Sequence, residues 1–108
     1  MGFSPTDGPQ YVRALQRANR VRCARALIKR RIASGELTAA EVILSDHWEL
    51  ESMRLAELLL SQPRWGSKRC GEFLLALTMD ENKRIGSMTE RQRTAVAALL
   101  TAHTRASR

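Results

Sequence analysis

Residues 63–69 read Pro-Arg-Trp-Gly-Ser-Lys-Arg, which places three cations where a turn feeds into a helix. Gly66 can adopt backbone angles that other residues resist, and Ser67 stands at the position of a helix N-cap. The first N–H groups of a helix lack internal partners and carry partial positive charge, so this corner is predicted to bind a phosphate. Its predicted contacts are Arg64, Gly66, Ser67, Lys68 and Arg69. An ordinary helical hairpin, whose cations only keep it soluble, is the alternative.

Helices on either side position this corner. Residues 52–61 carry Leu55, Leu58 and Leu59 at helical spacing, and Pro63 disfavours helix at the residue before it. After the turn, apolar residues recur at 73, 74 and 77. Trp65 is predicted to plug the core beneath the hairpin, with packing against a sugar as the alternative.

A second set of cations lies in one long predicted helix, residues 10–34, which ends at Gly35. Residues 13–31 hold eight Arg or Lys and no acid. A helix charged nearly all round buries little, so its first half is predicted to project from the domain, and phosphates would relieve its internal repulsion. The predicted contacts form two lines along it: Arg13, Arg17 and Arg20, and Arg22 with Arg25.

The remaining elements are short. Residues 1–9 are predicted to form a flexible tail. Thr38 and Glu41 have capping-box spacing and open a short helix that carries residues 42–44 inward. Residues 104–108 are predicted to be a disordered tail, so that residues 10–103 form a single helical domain.

Two further pairs of cations complete the set of predicted contacts. Lys83 and Arg84 lie in a polar connector, and Arg91 and Arg93 lie in the first turn of the last helix. Thr89 and Gln92 cap that helix, which runs to about residue 103. Cations at a helix start are unfavourable for the helix itself, so an external anion is suspected there.

The composition limits the class of partner. The chain has 108 residues, a net charge of +7 and only 5% aromatic residues, which favours a helical core and a polyanionic partner, nucleic acid first. The charge is segregated. Residues 1–35 hold eight Arg or Lys and one acid, residues 36–61 one Arg and six acids, and residues 62–108 nine Arg or Lys and four acids. This pattern predicts two basic parts facing one polyanion and an acidic back.

Other classes of function find little support in the sequence. His47 and His103 are far apart, and there is no catalytic Ser/His/Asp set or Gly-rich phosphate loop, so no enzyme, metal or cofactor is predicted. There is no membrane-spanning run and no secretory signal at the amino terminus. Cys23 and Cys70 are interpreted as small core residues in a reducing cytoplasm.

Two segments together, residues 62–77 and 83–100, resemble the actinobacterial type of integration host factor, a small family of nucleoid-associated proteins. The matching features are a Leu-rich helix with Met53, Pro63 and Gly66 at Pro-x-x-Gly spacing, Glu72 in the next helix, then the basic pair and Arg-Gln-Arg at residues 91–93. The family has a Gly-Leu-Gly turn after the basic pair, where this chain has Gly-Ser-Met-Thr at residues 86–89. It therefore resembles a divergent member.

The resemblance implies an all-α domain in which a long N-terminal helix, residues 10–34, packs on a helix–two-turn–helix module and C-terminal helix, residues 52–103. It implies largely sequence-independent binding and bending of double-stranded DNA in the nucleoid, in support of site-specific integration, with the turn, Lys68, Arg69, Lys83 and Arg84 contacting phosphates. We expect a monomer, with a site-specific recombinase as a protein partner.

Two alternatives stay open at this point. The same module could bind structured RNA, or the acidic part could dock the chain as an adaptor in a recombination or transcription complex.

Overall fold

The computed structural model describes residues 7–106, and these form an all-helical fold, as the sequence predicts. The short 3-10 helices Trp48–Leu50 and Ile85–Ser87 lie in the connections. Within the described residues, no helix is both long and apolar enough to cross a bilayer. The α-helices are α1 (Asp7–Ala33), α2 (Ala39–Leu44), α3 (Leu55–Leu60), α4 (Ser67–Ala76) and α5 (Glu90–Ala106).

Every element contributes aliphatic side chains to one core. α2 packs along α5, and α3 packs on α4 across the hairpin. Among the residues whose burial the structure describes, Phe73 of α4 is the one aromatic residue buried in this core. Trp65 is partly buried and packs against the core, so the Trp65 plug predicted from the sequence is confirmed. The largest fully buried side chains of the described residues are Ile32, Ile43, Leu50, Met53, Leu55, Leu58, Leu59, Leu74 and Val96.

Only the C-terminal half of α1 is anchored in the core. Ile28 and Ile32 are buried, whereas residues 9–20 are exposed on all sides of the helix. The molecule is accordingly elongated, with principal extents of 57 × 28 × 23 Å. The first half of α1 thus projects, as its nearly uniform charge predicts.

The helix signals read from the sequence are formed at three places. Gly35 adopts a φ of 83°, and the Glu36 N–H donates to the Arg31 carbonyl (3.0 Å), which closes the end of α1. Thr38 Oγ1 accepts from the Glu41 N–H (3.1 Å). Thr89 and Gln92 cap α5 reciprocally, with Thr89 N–H to Gln92 Oε1 at 3.0 Å and Gln92 N–H to Thr89 Oγ1 at 3.1 Å.

Several predicted boundaries were wrong. α1 begins at Asp7 because Pro9 is tolerated in a first helical turn, so of the predicted tail only residues 1–6 remain, outside the described residues. α5 runs through Ala106, so residues 104–106 are helical rather than disordered, and residues 107–108 lie outside the described part. α3 begins at Leu55 rather than at residue 52.

The short helix α2 buries one face only. Ala39, Val42 and Ile43 are buried, but Leu44 is 62% exposed, although it was predicted to point inward. Leu44 is rotated by about 100° from Ile43, so a six-residue helix with these buried positions cannot turn it to the core as well.

A short antiparallel pairing joins the segment before α3 to the connector after α4. The N–H of Leu55 donates to the carbonyl of Lys83 (2.8 Å), and the N–H of Ile85 donates to the carbonyl of Met53 (2.9 Å). The Gly86 N–H donates to the Glu51 carbonyl at 2.8 Å. A Cβ on Gly86 would lie 2.7 Å from Glu51 Cβ and 2.9 Å from its carbonyl oxygen, so only glycine allows this approach.

We predict opposite effects of the same substitution at two glycines. Gly86→Ala should lower the free energy of unfolding by about 1–3 kcal/mol, because the added methyl group meets the Glu51 backbone. Gly71→Ala should raise it by about 0.5–1 kcal/mol, because Gly71 lies inside α4 with nothing within 4 Å of an added Cβ. Urea unfolding of both variants measures this. Equal effects at the two sites would contradict the pairing.

Candidate nucleic-acid interface

The corner between α3 and α4 is a tight turn whose strained residue is an arginine. Arg64 has a φ of 68°, whereas Gly66 is extended, with φ −97° and ψ −179°. The sequence therefore pointed to the wrong residue for the unusual backbone angle. The turn is closed by the Trp65 N–H, which donates to the Gln62 carbonyl (3.2 Å). Arg64 is exposed at the turn.

The N-cap of α4 is Gly66 and not Ser67, which is the first helical residue. Gly66 has no side chain with which to cap the helix, so the cap leaves the N–H groups of the first turn available to an external acceptor. Ser67 and Lys68 are exposed beside them. The correction leaves the predicted phosphate site at the same place, since the uncapped donors and the cations remain together.

Trp65 fixes the position of the third corner cation. The Arg69 guanidinium lies over the Trp65 ring, with Cζ 4.5 Å from its centroid. Trp65 packs edge-to-face on Phe73, with ring centroids 5.3 Å apart, and both rings contact His103 of α5. Arg69 is thus held against the core edge by a cation–π contact while Arg64 and Lys68 extend from the surface.

The predicted basic pair 83–84 is set beside α3 by the antiparallel pairing. Lys83 is half-buried and Arg84 is exposed. The Arg84 guanidinium donates through Nη1 to the Ser52 carbonyl oxygen. The segment from 83 to 86 is therefore held by backbone hydrogen bonds and by the side chain of Arg84.

Ser52 also accepts a hydrogen bond from an arginine of α1. The Arg25 guanidinium donates through Nη2 to Ser52 Oγ, and its Nε is shielded from solvent without a hydrogen-bond partner in the described residues. One residue of the long helix and one of the module thus converge on the same serine. Sequence reasoning missed Ser52, because its partners lie 27 and 32 residues away and no local pattern marks it.

The projecting half of α1 carries the other predicted contacts. Arg13 and Arg20 are exposed, and Arg22 is exposed with Nη2 donating to Asn19 Oδ1 (2.9 Å). The Arg17 guanidinium lies over the Trp48 ring, with Cζ 4.4 Å from the centroid. Trp48 is half-buried and lies in the 3-10 helix that contacts α1, so it supports this part of α1.

Two acids of the middle segment do not lie on a separate back. Glu57 of α3 pairs with Lys29 (3.0 Å), and Glu36 pairs with Arg31 (2.7 Å). Both cations belong to the C-terminal half of α1, so the predicted segregation of an acidic back holds incompletely. These pairs neutralise α1 where it joins the domain.

Of the two arginines at the start of α5, one forms hydrogen bonds that hold the helices together. The Arg93 guanidinium donates to the carbonyl of Ile43 (3.1 Å) and to that of Ile85 (3.2 Å), which ties α5 to α2 and to the 3-10 helix after the basic pair. We therefore remove Arg93 from the predicted contacts. Arg91 is exposed and remains a candidate.

The two cysteines occupy different environments. Cys70 is buried, as predicted, and burial raises the pKa of its thiol, with a smaller contribution from the Glu81 carboxylate. Cys23 is exposed on α1, so its assignment to the core was wrong. Its position on a helix that projects explains the error.

Comparison with known proteins gives a structural match. No protein-family model matches the chain, and no curated protein matches it in sequence. A solved structure of sIHF bound to an 8-bp palindromic DNA matches with a TM-score of 0.70, covering 79% of this chain and 98% of the sIHF chain. The chain is similar in fold to sIHF. At 23% sequence identity the likeness concerns the fold, and the all-α architecture expected from the sequence is confirmed.

We predict that Arg93→Ala destabilises the fold and that Arg91→Ala does not. Loss of the Arg93 guanidinium leaves two carbonyls without their charged donor, which costs about 1–3 kcal/mol, whereas Arg91 is exposed. Thermal unfolding measures this. The two variants have the same net charge, and their substituted residues lie only two positions apart in the sequence. Equal melting temperatures would contradict the structural role of Arg93.

We predict that a thiol-specific chromogenic reagent labels Cys23 quickly and Cys70 slowly at pH 8. The thiolate is the reactive form, and the raised pKa of Cys70 leaves less thiolate at this pH in addition to its burial. Raising the pH above 8 should increase the Cys70 rate, because more of its thiolate then forms. Cys23→Ser and Cys70→Ser variants assign the two phases, and a fast Cys70 phase would contradict its burial.

Proposed function

We propose that the protein is a non-enzymatic, architectural DNA-binding protein. It binds the phosphate backbone of double-stranded DNA largely independently of sequence, as a monomer, and bends the duplex. It acts in the cytoplasm on the nucleoid, and it supports site-specific recombination beside a recombinase.

The corner between α3 and α4 carries this proposal. Uncapped N–H donors at the start of α4 stand beside exposed Arg64 and Lys68, and Arg69 is positioned on Trp65. This arrangement offers both directed hydrogen bonds and positive charge to one phosphate. Because contacts to phosphates carry no sequence information directly, we expect little dependence on sequence.

A second basic surface supports bending. Arg84 and Arg25 lie together at Ser52, and the projecting half of α1 adds exposed Arg13, Arg20 and Arg22. A straight duplex contacts a protein of this elongated shape over a limited length. A duplex that engages both the corner and α1 gains phosphate contacts, and this gain can offset the cost of bending.

The fold likeness supports duplex DNA as the partner, because the matched structure is of sIHF bound to DNA. We further propose that the chain is a divergent relative of the actinobacterial integration host factors, in line with the sequence resemblance. The adaptor alternative is weakened, since the acidic segment pairs in part with α1.

We predict that the affinity for DNA depends steeply on salt concentration and that Lys68 of the corner contributes measurably to this dependence. With about six phosphates neutralised, the logarithm of the affinity should fall against the logarithm of salt concentration with a slope of about −5. Lys68→Glu should weaken binding to all duplex sequences equally and reduce the slope by about 1 or more. Arg30→Glu, the same charge change at an exposed residue of α1 outside the predicted contacts, is the control.

Fluorescence anisotropy with two unrelated duplexes gives these values. A flat salt response, or equal losses for Lys68→Glu and Arg30→Glu, would contradict binding through the corner. Stronger competition by a structured RNA than by duplex DNA would favour the RNA alternative instead.

We predict that bending requires α1. Replacing Arg13, Arg17 and Arg20 by Gln should remove the preference for a short DNA minicircle over the linear duplex of the same sequence, because one of the two surfaces is then weakened. Binding to the linear duplex through the corner should persist at low salt. If the triple variant keeps its minicircle preference, α1 does not take part in bending.

A further inference from the structure

We propose that Arg25, Ser52 and Arg84 form one phosphate-binding site, which joins α1 to the helix–two-turn–helix module through a single phosphate of the DNA backbone. The inference rests on the proposed function for the source of the phosphate. Ser52 was not among the residues that the sequence indicated, and none of the three residues belongs to the α4 corner.

The two guanidinium groups meet on neutral oxygens. Arg25 donates to Ser52 Oγ and Arg84 to the Ser52 carbonyl oxygen. Neither arginine forms an ion pair with a side chain of residues 9–103, which the structure describes. Two like charges that converge on one residue repel each other, and an anion bound between them would relieve that repulsion.

Arg25 supplies the second observation. Its Nε is shielded from solvent and has no hydrogen-bond partner in the described residues. A buried donor without an acceptor is costly, so the Arg25 guanidinium is held beside Ser52 at an energetic cost that a bound anion at its Nη groups would offset. Nearby on α1, the row of Arg22, Arg25 and Lys29 follows i, i+3, i+7 spacing on one side of the helix, and Glu57 neutralises Lys29.

The three groups match the chemistry of a phosphate. Ser52 Oγ accepts from Arg25, so its own hydroxyl proton is available to an anion. Each guanidinium presents several N–H donors in a plane that suits phosphate oxygens. Because Ser52 is exposed, a backbone phosphate can reach the site from solvent.

The site would couple the two basic surfaces. Arg25 is fixed to α1, whereas Arg84 is fixed to the module by the antiparallel pairing through Gly86. A phosphate held by both therefore binds best when the projecting helix and the module keep the mutual orientation seen here. This predicts that occupancy stiffens the junction of α1 with the domain.

The first experiment uses inorganic phosphate as the probe and needs no DNA. The Nε–H of Arg25 is buried, so its ¹⁵N–¹H NMR signal should be observable, and millimolar phosphate should shift it relative to chloride at the same ionic strength. Ser52→Asp, which places a carboxylate between the guanidinium groups, should abolish the shift. Absence of any phosphate-dependent shift in the unsubstituted chain would overturn the proposal, and a shift at remote arginines alone would identify an adventitious ion only.

The second experiment measures DNA affinity. Ser52→Asp should weaken duplex binding by about tenfold or more and reduce the salt slope by about 1, because one phosphate contact is lost. Ala98→Asp, the same charge change at an exposed residue of α5, should cost less than threefold. Ser52→Ala tests the hydroxyl alone and should lie between them. Circular dichroism confirms that each variant is folded.

The two experiments separate the failure of this site from failure of the proposed function. A phosphate-dependent shift without DNA binding by the unsubstituted chain would contradict DNA binding but support the anion site. Normal salt-dependent DNA binding, with equal losses for Ser52→Asp and Ala98→Asp, would overturn the site and leave the DNA-binding function in place.

Discussion

The antiparallel pairing of residues 51–55 with 83–86 is the constraint on which the arrangement of basic groups depends. It consists of three backbone hydrogen bonds, and it requires that Gly86 lie against the Glu51 backbone. Through it the connector after α4 is held next to the start of α3, and Arg84 reaches Ser52. Because α1 crosses at the same place through Arg25, cations from distant parts of the chain are brought to one surface.

The distribution of counter-charges along α1 follows the same division between anchored and free parts. Near the core, Lys29 and Arg31 pair with acids. The projecting residues 9–20 contain three arginines and no acid. Exposed ion pairs contribute little to stability, about 0–1 kcal/mol each, so the pairs do not explain why the helix persists. The burial of Ile28 and Ile32 stabilises α1 instead. The arginines on the N-terminal side of these residues remain available for a polyanion.

Much of the helical framework was predictable from local sequence. Gly35, Thr38 and the Thr89–Gln92 box act within five residues, and their chemistry determines the backbone there. The α3–α4 corner was located correctly as well, but its details were not. Glycine has the strongest local preference for a positive φ, yet Arg64 adopts that conformation and Gly66 is an extended N-cap. Local propensity cannot show this.

The parts of the candidate site that sequence reasoning missed or misassigned all depend on contacts between distant segments. Arg93 looked like a phosphate ligand because its acceptors are carbonyls, one of them 50 residues away, and carbonyls leave no trace in residue type. Ser52 has an ordinary local sequence, and Gly86 is informative only once Glu51 lies beside it. Residue types thus identified the charged surfaces, whereas the identity of the residues that hold those surfaces together required coordinates.

Each tryptophan lies beneath an arginine of a different basic surface. The Trp48 ring makes a cation–π contact with Arg17 of the projecting helix, and the Trp65 ring makes one with Arg69 of the corner. A guanidinium group that leaves an indole ring alters the polarity around it, and with it the emission of that ring. The chain therefore contains two native tryptophan fluorophores, one at each basic surface. Single-tryptophan variants followed by stopped flow would show in which order helix and corner take up a ligand.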